Sequence, residues 1–246
     1  SFLLGLAVAL PAAALVGMLV EMVVLRRLYK KEHVDQVLAT FGLLLFFNEL
    51  TRIIVGRQPL FMDVPSWMSG SLELVPGIHY PSYRIAVIGV GLLVALFLYL
   101  MFTRTRIGMH IRAGARNREM AGALGINIRL LYTLVFGVGT LLAGLAGVMA
   151  WPILAVEAGM GESILILTFV VIVIGGIGSV RGAFIGALLV GMVDTLGRAF
   201  LPALFRLFLS SAHADGVAAS VASMSIYILM AIILIWRPKG LLPAHD

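Results

Sequence analysis

Apolar residues in this chain come in long runs rather than in strict alternation, and the polar residues collect between the runs. A helix of about 20 apolar residues crosses the roughly 30 Å hydrocarbon layer of a bilayer. Seven candidate spans follow: Phe2–Leu25, Val34–Val55, Ile85–Phe102, Leu130–Ala150, Ile164–Ile177, Ala183–Phe200 and Ala222–Trp236. No long polar domain separates them, so residues 1–246 read as one all-α, polytopic transmembrane domain. The segment Gly56–Arg84 is rich in turn formers (Pro59, Pro65, Gly70, Pro76, Gly77, Pro81) and carries Trp67, Tyr80 and Tyr83, rings that favour the headgroup zone. Trp151–Ser163, with Pro152, Glu157, Gly159, Gly161 and Glu162, and Ser210–Ser225, mostly Ser, Ala and Gly, are expected as outer loops with room for short interfacial helices.

Composition excludes a water-soluble globule: 61% of residues are hydrophobic, only 12% are charged and the mean hydropathy is +1.07. Soluble domains carry about twice that charged share. The net charge of +6 raises nucleic acid as a partner, but its placement argues for topology instead. Thirteen of the 18 basic residues fall in one set of loops and helix ends: Arg26, Arg27, Lys30, Lys31, Arg104, Arg106, Arg112, Arg116, Arg118, Arg129, Arg181, Arg237 and Lys239. The other set holds five, Arg52, Arg57, Arg84, Arg198 and Arg206. Basic loops stay in the cytoplasm, so the chain is expected to start outside and end inside. Ser1–Leu10 has no basic n-region and no small-residue cleavage site, so no signal peptide is expected. There are no cysteines for disulfides or thiolate metal sites.

Three features carry information. The inner loop Thr103–Arg129 holds six arginines around an apolar, helix-forming middle, and predicts a short helix over Asn117–Leu124 stopped by Gly125. Met120, Ala121, Ala123, Leu124 and Ile126 need something to bury against. The second feature is a set of small residues four apart, Gly139, Ala143 and Gly147, with Gly182 and Gly186 beside Ala183 and Ala187, which lets helices approach closely. The third is Val173–Gly182, where Gly175, Gly176 and Gly178 precede Ser179. Two readings stand: a helix break lining a translocation path, or a tight cytoplasmic turn.

Ionisable residues inside spans are few: Glu21, Glu49 with Arg52, and Asp194 with Arg198. The last two pairs sit three and four apart, so each neutralises itself along one helix face rather than forming a proton relay. An intramembrane enzyme would need clustered polar groups. His33, His79, His110, His213 and His245 fall in loops or tails and no H-E-x-x-H occurs, so neither catalytic nor metal-binding residues are expected.

The stretch from Ile111-Arg112-Ala113 through Arg118-Glu119-Met120-Ala121-Gly122-Ala123-Leu124-Gly125-Ile126 to Ala143-Gly144-Leu145-Ala146-Gly147, with Val173–Gly186 and the ending Arg237-Pro238-Lys239-Gly240-Leu241, resembles the permease subunits of bacterial branched-chain amino-acid ABC importers. The resemblance runs over essentially the whole chain. It implies a type II ABC importer permease fold in the bacterial inner membrane. Arg112, Arg116, Asn117, Arg118, Glu119, Met120, Ala121, Gly122, Leu124 and Gly125 would then form or flank a coupling helix seated on an ATPase subunit. Arg118 and Glu119 would make polar contacts there, with Met120, Ala121 and Leu124 burying against it. It also implies a second homologous permease, an extracytoplasmic substrate-binding protein, and ATP with Mg²⁺ on the ATPase rather than on this chain. No G-x-x-x-x-G-K-[ST] occurs here, in keeping with that division. Relatives usually begin with an Asn-Phe-Ala-His-Gly-type motif, which nothing here matches, so the family's first helices are expected to lie outside this chain. Many also have proline where Arg181 stands. Permeases of this family for urea or short amides, and a secondary transporter or channel, are the competing functions.

Overall fold

The computed structural model describes residues 2–29, 31–61, 63–75, 78–207 and 211–242, without the side chains of 33, 74, 75, 78 and 211–214. Lys30, Pro76, Gly77, Ser210 and His245, all invoked above, lie outside the described residues. Internal contacts fall into two units, Ser1–Met160 and Gly161–Asp246.

The first unit begins with α1 (Phe2–Val20), which runs through a π-helical turn, Glu21–Leu25, into α2 (Arg26–Leu28). Then come α3 (His33–Val55), a hairpin of β1 (Ser71–Val75) and β2 (Ile78–Pro81), α4 (Ser82–Arg104), α5 (Arg106–Arg116), α6 (Arg118–Ala123) and α7 (Ile128–Ala150). The second unit holds α8 (Met160–Gly175), α9 (Val180–Phe205) and α10 (Ser211–Trp236). Among the described residues six helical stretches are long and apolar enough to cross a membrane: Phe2–Leu28, Val34–Val55, Ser82–Arg104, Ile128–Ala150, Val180–Phe205 and Asp215–Trp236. The expected fifth span is shorter than the rest, since α8 has 16 residues and reaches about 24 Å at 1.5 Å per residue.

Lipid is as apolar as leucine, so helices in it are held by close packing rather than by the hydrophobic effect. In the first unit α1 lies on α7 where Gly17 meets Thr140, Gly137 meets Met18 and Gly144 meets Ala13. The contact is backbone-close: a Cβ on Gly17 would stand 2.1 Å from Thr140 Oγ1. The expected stripe is therefore displaced, because among the described residues a Cβ on Gly139 or Gly147 would meet nothing within 4 Å. Tyr83 donates its hydroxyl to the Met149 carbonyl at 2.9 Å, pinning the start of α4 to the end of α7. The two loops expected outside are joined, since Leu60 and Val156 exchange backbone hydrogen bonds of 2.9 and 3.0 Å.

In the second unit Val170, Ile174, Val190 and Ile226 form the core, flanked by Leu229, Met230 and Ile233. Here Gly182 and Gly186 do what their spacing predicts: a Cβ on Gly182 would stand 2.1 Å from the Gly175 carbonyl oxygen, and one on Gly186 2.6 Å from that of Val171. The segment Ser210–Ser225 departs from expectation. From Ser211 on it is helix, the first part of α10, with Ala218 and Ala222 fully buried and Ala222 Cβ 3.2 Å from where a Cβ on Gly197 would stand. Its serines look like loop formers, yet Ser220, Ser223 and Ser225 return their hydroxyls to the carbonyls of Gly216, Ala219 and Ala222. Alanine, the best helix former, supplies the packed face.

Candidate functional site

The segment 103–129 is two helices joined by caps. Thr105 opens α5, its Oγ1 accepting from the Gly108 amide at 3.1 Å. Gly108 is required by the bend, because a Cβ there would lie 2.3 Å from the Met101 carbonyl oxygen of α4. Arg112 donates to the Phe102 carbonyl across the same bend. Asn117 then caps α6, its Oδ1 accepting from the amides of Glu119 and Met120 at 3.1 and 3.0 Å. Gly125 closes α6 in the left-handed region, φ +86°, with Ile126 N–H donating to Ala121 O and Gly125 N–H to Gly122 O. That crossed pair of bonds is the Schellman ending. The predicted helix Asn117–Leu124 is thus found over Arg118–Ala123, and α5 before it was not foreseen.

Its faces divide in a way the sequence did not foresee. Ala121 is only 2% exposed, covered by its own chain, so it cannot bury against a partner. Met120 and Leu124 are 60% and 76% exposed and form the free apolar face of α6. Ile107 and Met109 of α5 are exposed too. Arg116 and Glu119 are exposed, and Gly122 packs toward Ile128. Arg118 turns back toward the membrane helices, its Nη1 3.4 Å from the Tyr29 carbonyl oxygen.

Beside this segment sits a polar cluster whose partners sequence did not reveal. Glu21 is fully buried. Its Oε2 accepts from Thr133 Oγ1 at 2.5 Å and from Arg26 Nη2 at 3.1 Å, and Arg26 Nη2 also donates to Thr133 Oγ1 at 2.8 Å. Glu21 and Arg26 are five apart, a spacing that shares no face of an α-helix. The π turn changes this: the Arg26 amide donates to the Glu21 carbonyl, five residues back, and so stacks the two residues. Glu21 Oε1 and Arg26 Nε are buried without a partner. Tyr29 meets Tyr132 edge-on at 5.2 Å. Burial first, and the Glu21 carboxylate next, push the Tyr29 phenol above its ordinary pKa. A cavity of about 260 Å³ opens here, lined by Tyr29, Gln36, Arg118, Tyr132, Val135 and Phe136.

The other expected ion pairs form as spaced: Arg52 to Glu49 at 2.5 Å and Arg198 to Asp194 at 2.9 Å, all exposed or half-exposed. A further pair, Arg206 with Asp215 at 2.9 Å, links the end of α9 to α10. The glycine segment has the geometry of a tight turn between helices. Gly176 and Gly178 take φ of +104° and +82°, and Ser179 caps α9 by accepting from the Gly182 amide at 3.0 Å. The chain's ending docks on it: the amides of Leu241 and Leu242 donate to the carbonyls of Ile174 and Gly175 at 2.9 and 3.0 Å. Those are carbonyls a helix C-terminus leaves without a partner. Among the described residues no three His, Asp or Glu side chains gather as metal ligands.

A family model described as "Branched-chain amino acid transport system / permease component" matches residues 1–236. The chain is similar to the high-affinity branched-chain amino acid transport system permease protein BraD of Pseudomonas aeruginosa, 26% identical over 92% of this chain and 69% of the relative. It is similar to the corresponding protein LivH of Escherichia coli at 27% identity, over 97% of this chain and 73% of the relative. The D-allose transport system permease protein AlsC of Escherichia coli is 31% identical over 63% of this chain and 48% of its own length. No solved structure matches the chain.

Proposed function

This chain belongs to the family of branched-chain amino-acid transport permease components, and on that premise we propose that it carries branched-chain or similar amino acids inward, driven by separate ATP-binding cassette subunits. The single observation behind the substrate class is the family match itself: the model described for branched-chain amino acid transport covers residues 1–236. ATP and Mg²⁺ belong on the partner polypeptides. Uptake of labelled leucine by cells carrying the chain with its neighbouring subunits tests this directly, with urea and D-allose as competitors. Leucine uptake abolished by urea or by D-allose, but not by isoleucine, would overturn the amino-acid reading.

The coupling surface in this proposal is the exposed apolar face of α6, Met120 and Leu124, with Glu119 and Arg116 at its rim. Ala121 supports that face from beneath. Burying such side chains is worth roughly 1.5–3 kcal/mol each, and an unpaired charge at a closed interface costs about 2–5 kcal/mol. Met120→Arg with Leu124→Arg should therefore lower ATPase co-purification at least 30-fold while leaving membrane insertion normal. Full ATPase binding by this double variant would remove α6 as the coupling element.

In the proposed topology the first residues face outside and the tail after Arg237 faces the cytoplasm, in the bacterial inner membrane. The Leu60–Val156 pairing and the Arg118–Tyr29 contact support the grouping of the loops, since each joins loops placed on one side, and the basic asymmetry alone says which side is cytoplasmic. α8 must then cross despite its length. A cysteine at Asn117 should stay unlabelled by an impermeant reagent in intact cells, and one at Leu72 should label; the reverse pattern would invert the topology. The Gly139, Ala143 and Gly147 stripe, free within this chain, is assigned in this proposal to a second permease, and the outer loops to the substrate-binding protein.

A further inference from the structure

We propose that the π-helical turn Glu21–Leu25, with Glu21, Arg26 and Thr133, is the joint through which movement of α6 reaches the α1–α7 pair, making these positioning residues for transport. The inference rests on the reading of α6 as the coupling element.

Five observations converge on it. The π turn holds one residue more than an α-helix needs, so its relaxation to α geometry would swing everything beyond it by about 100°. What lies beyond it is α2 and Tyr29, and Tyr29 is tied both to α6, by Arg118 on its carbonyl, and to α7, by its ring on Tyr132. On the membrane side of the turn α1 is fixed to α7 by the backbone-close Gly17–Thr140 contact, whereas beyond it the chain is held by side chains to both α6 and α7, so the turn separates a closely packed portion from one that reaches the moving helix. The cluster within the turn is incompletely satisfied, with Glu21 Oε1 and Arg26 Nε buried and unpartnered. Fully satisfied networks lock one geometry, whereas one with a spare donor and a spare acceptor has an alternative to move into. The cavity of about 260 Å³ beside Tyr29, Arg118 and Tyr132 leaves room for the movement.

A purely structural role makes a different prediction, which a one-residue deletion separates. Deleting Val23, an exposed residue, turns the π turn into ordinary α-helix and leaves Glu21 and Arg26 four apart, where the ion pair still forms. The complete importer, reconstituted with its ATPase and binding protein, is measured for ATP hydrolysed and leucine taken up. The deletion variant is expected to assemble and hydrolyse ATP, while uptake per ATP falls at least tenfold. Glu21→Gln keeps the shape and the acceptor for Thr133 but removes the charge that holds Arg26, and should lower the same ratio; it serves as the decisive variant if the deletion fails to fold. Wild-type uptake per ATP in Glu21→Gln and in a folded deletion variant would overturn the joint. If the Met120→Arg, Leu124→Arg chain still binds its ATPase, the coupling reading itself has failed; if that chain loses the ATPase while the deletion transports normally, only the joint is wrong.

Discussion

Gly182→Leu is expected to unfold the 161–246 unit rather than loosen it. A Cβ at this position would lie 2.1 Å from the Gly175 carbonyl oxygen and 3.0 Å from that of Leu242, both backbone atoms with no rotamer to move into. Overpacking typically costs 1–3 kcal/mol and more when backbone must shift. Here α8, α9 and the docked tail all meet at one point, so we expect roughly 3 kcal/mol or more, about a hundredfold in the folding equilibrium. The measurement is thermal unfolding of the purified permease in detergent. Gly191→Leu, where a Cβ would meet nothing within 4 Å, is the matched control on the same helix. Equal melting of the two variants would show that the α8–α9 crossing opens freely.

Gly17→Leu should have the next largest effect, and the contrast with Gly147→Leu is the informative part. The Gly17 Cβ position is occupied by Thr140, whose β-branched side chain is held by bonds to the Phe136 and Gly137 carbonyls, both at 3.1 Å. A threonine is stiff about χ1 and cannot fold away as the Met18 side chain opposite Gly137 can. Gly17→Leu is therefore expected to separate α1 from α7 at a cost of about 2–3 kcal/mol. Gly147→Leu should leave the chain's own fold intact and, in the proposed assembly with a second permease, act only there. Moving the bulk across the contact, Gly17→Ala with Thr140→Gly, should recover most of the loss, as coupled neighbours do in a double-mutant cycle. Additive losses in that pair would mean the two residues do not share the contact.

Periodicity and hydropathy alone make the spans legible, because an apolar run long enough to cross a bilayer has few other uses. The short helix α6 was legible for a different reason: Asn117 and Gly125 are strong local signals, and local signals do not depend on the rest of the fold. α5 was hidden by its arginines, which read as a topology-setting loop although Thr105 was available as a cap. Small-residue spacing indicated that close crossings exist but not which of several stripes makes one. Gly182 and Gly186 were used within the chain, while Gly139 and Gly147 were passed over for Gly137 and Gly144, two and three positions earlier on a neighbouring face. Ala121 was misplaced because a small apolar residue on a surface helix suits its own core and a partner equally well. The Glu21–Arg26 pair could not be found by α-helical spacing at all, since it exists only where the helix is π.

The tail that closes the glycine turn also sets an order of events. Gly240 lies 65 positions beyond Gly175, and at about 5–20 residues per second of synthesis that separation is roughly 3–13 s. By the end of this interval α8 can have entered the bilayer with α9 following it, but the amides of Leu241 and Leu242 do not yet exist to meet Ile174 and Gly175. The second unit can therefore be threaded through the membrane before it can be finished. A nascent chain stalled short of residue 240 would be inserted yet unsealed, with unmet carbonyls at the end of α8 for a membrane quality-control protease to find.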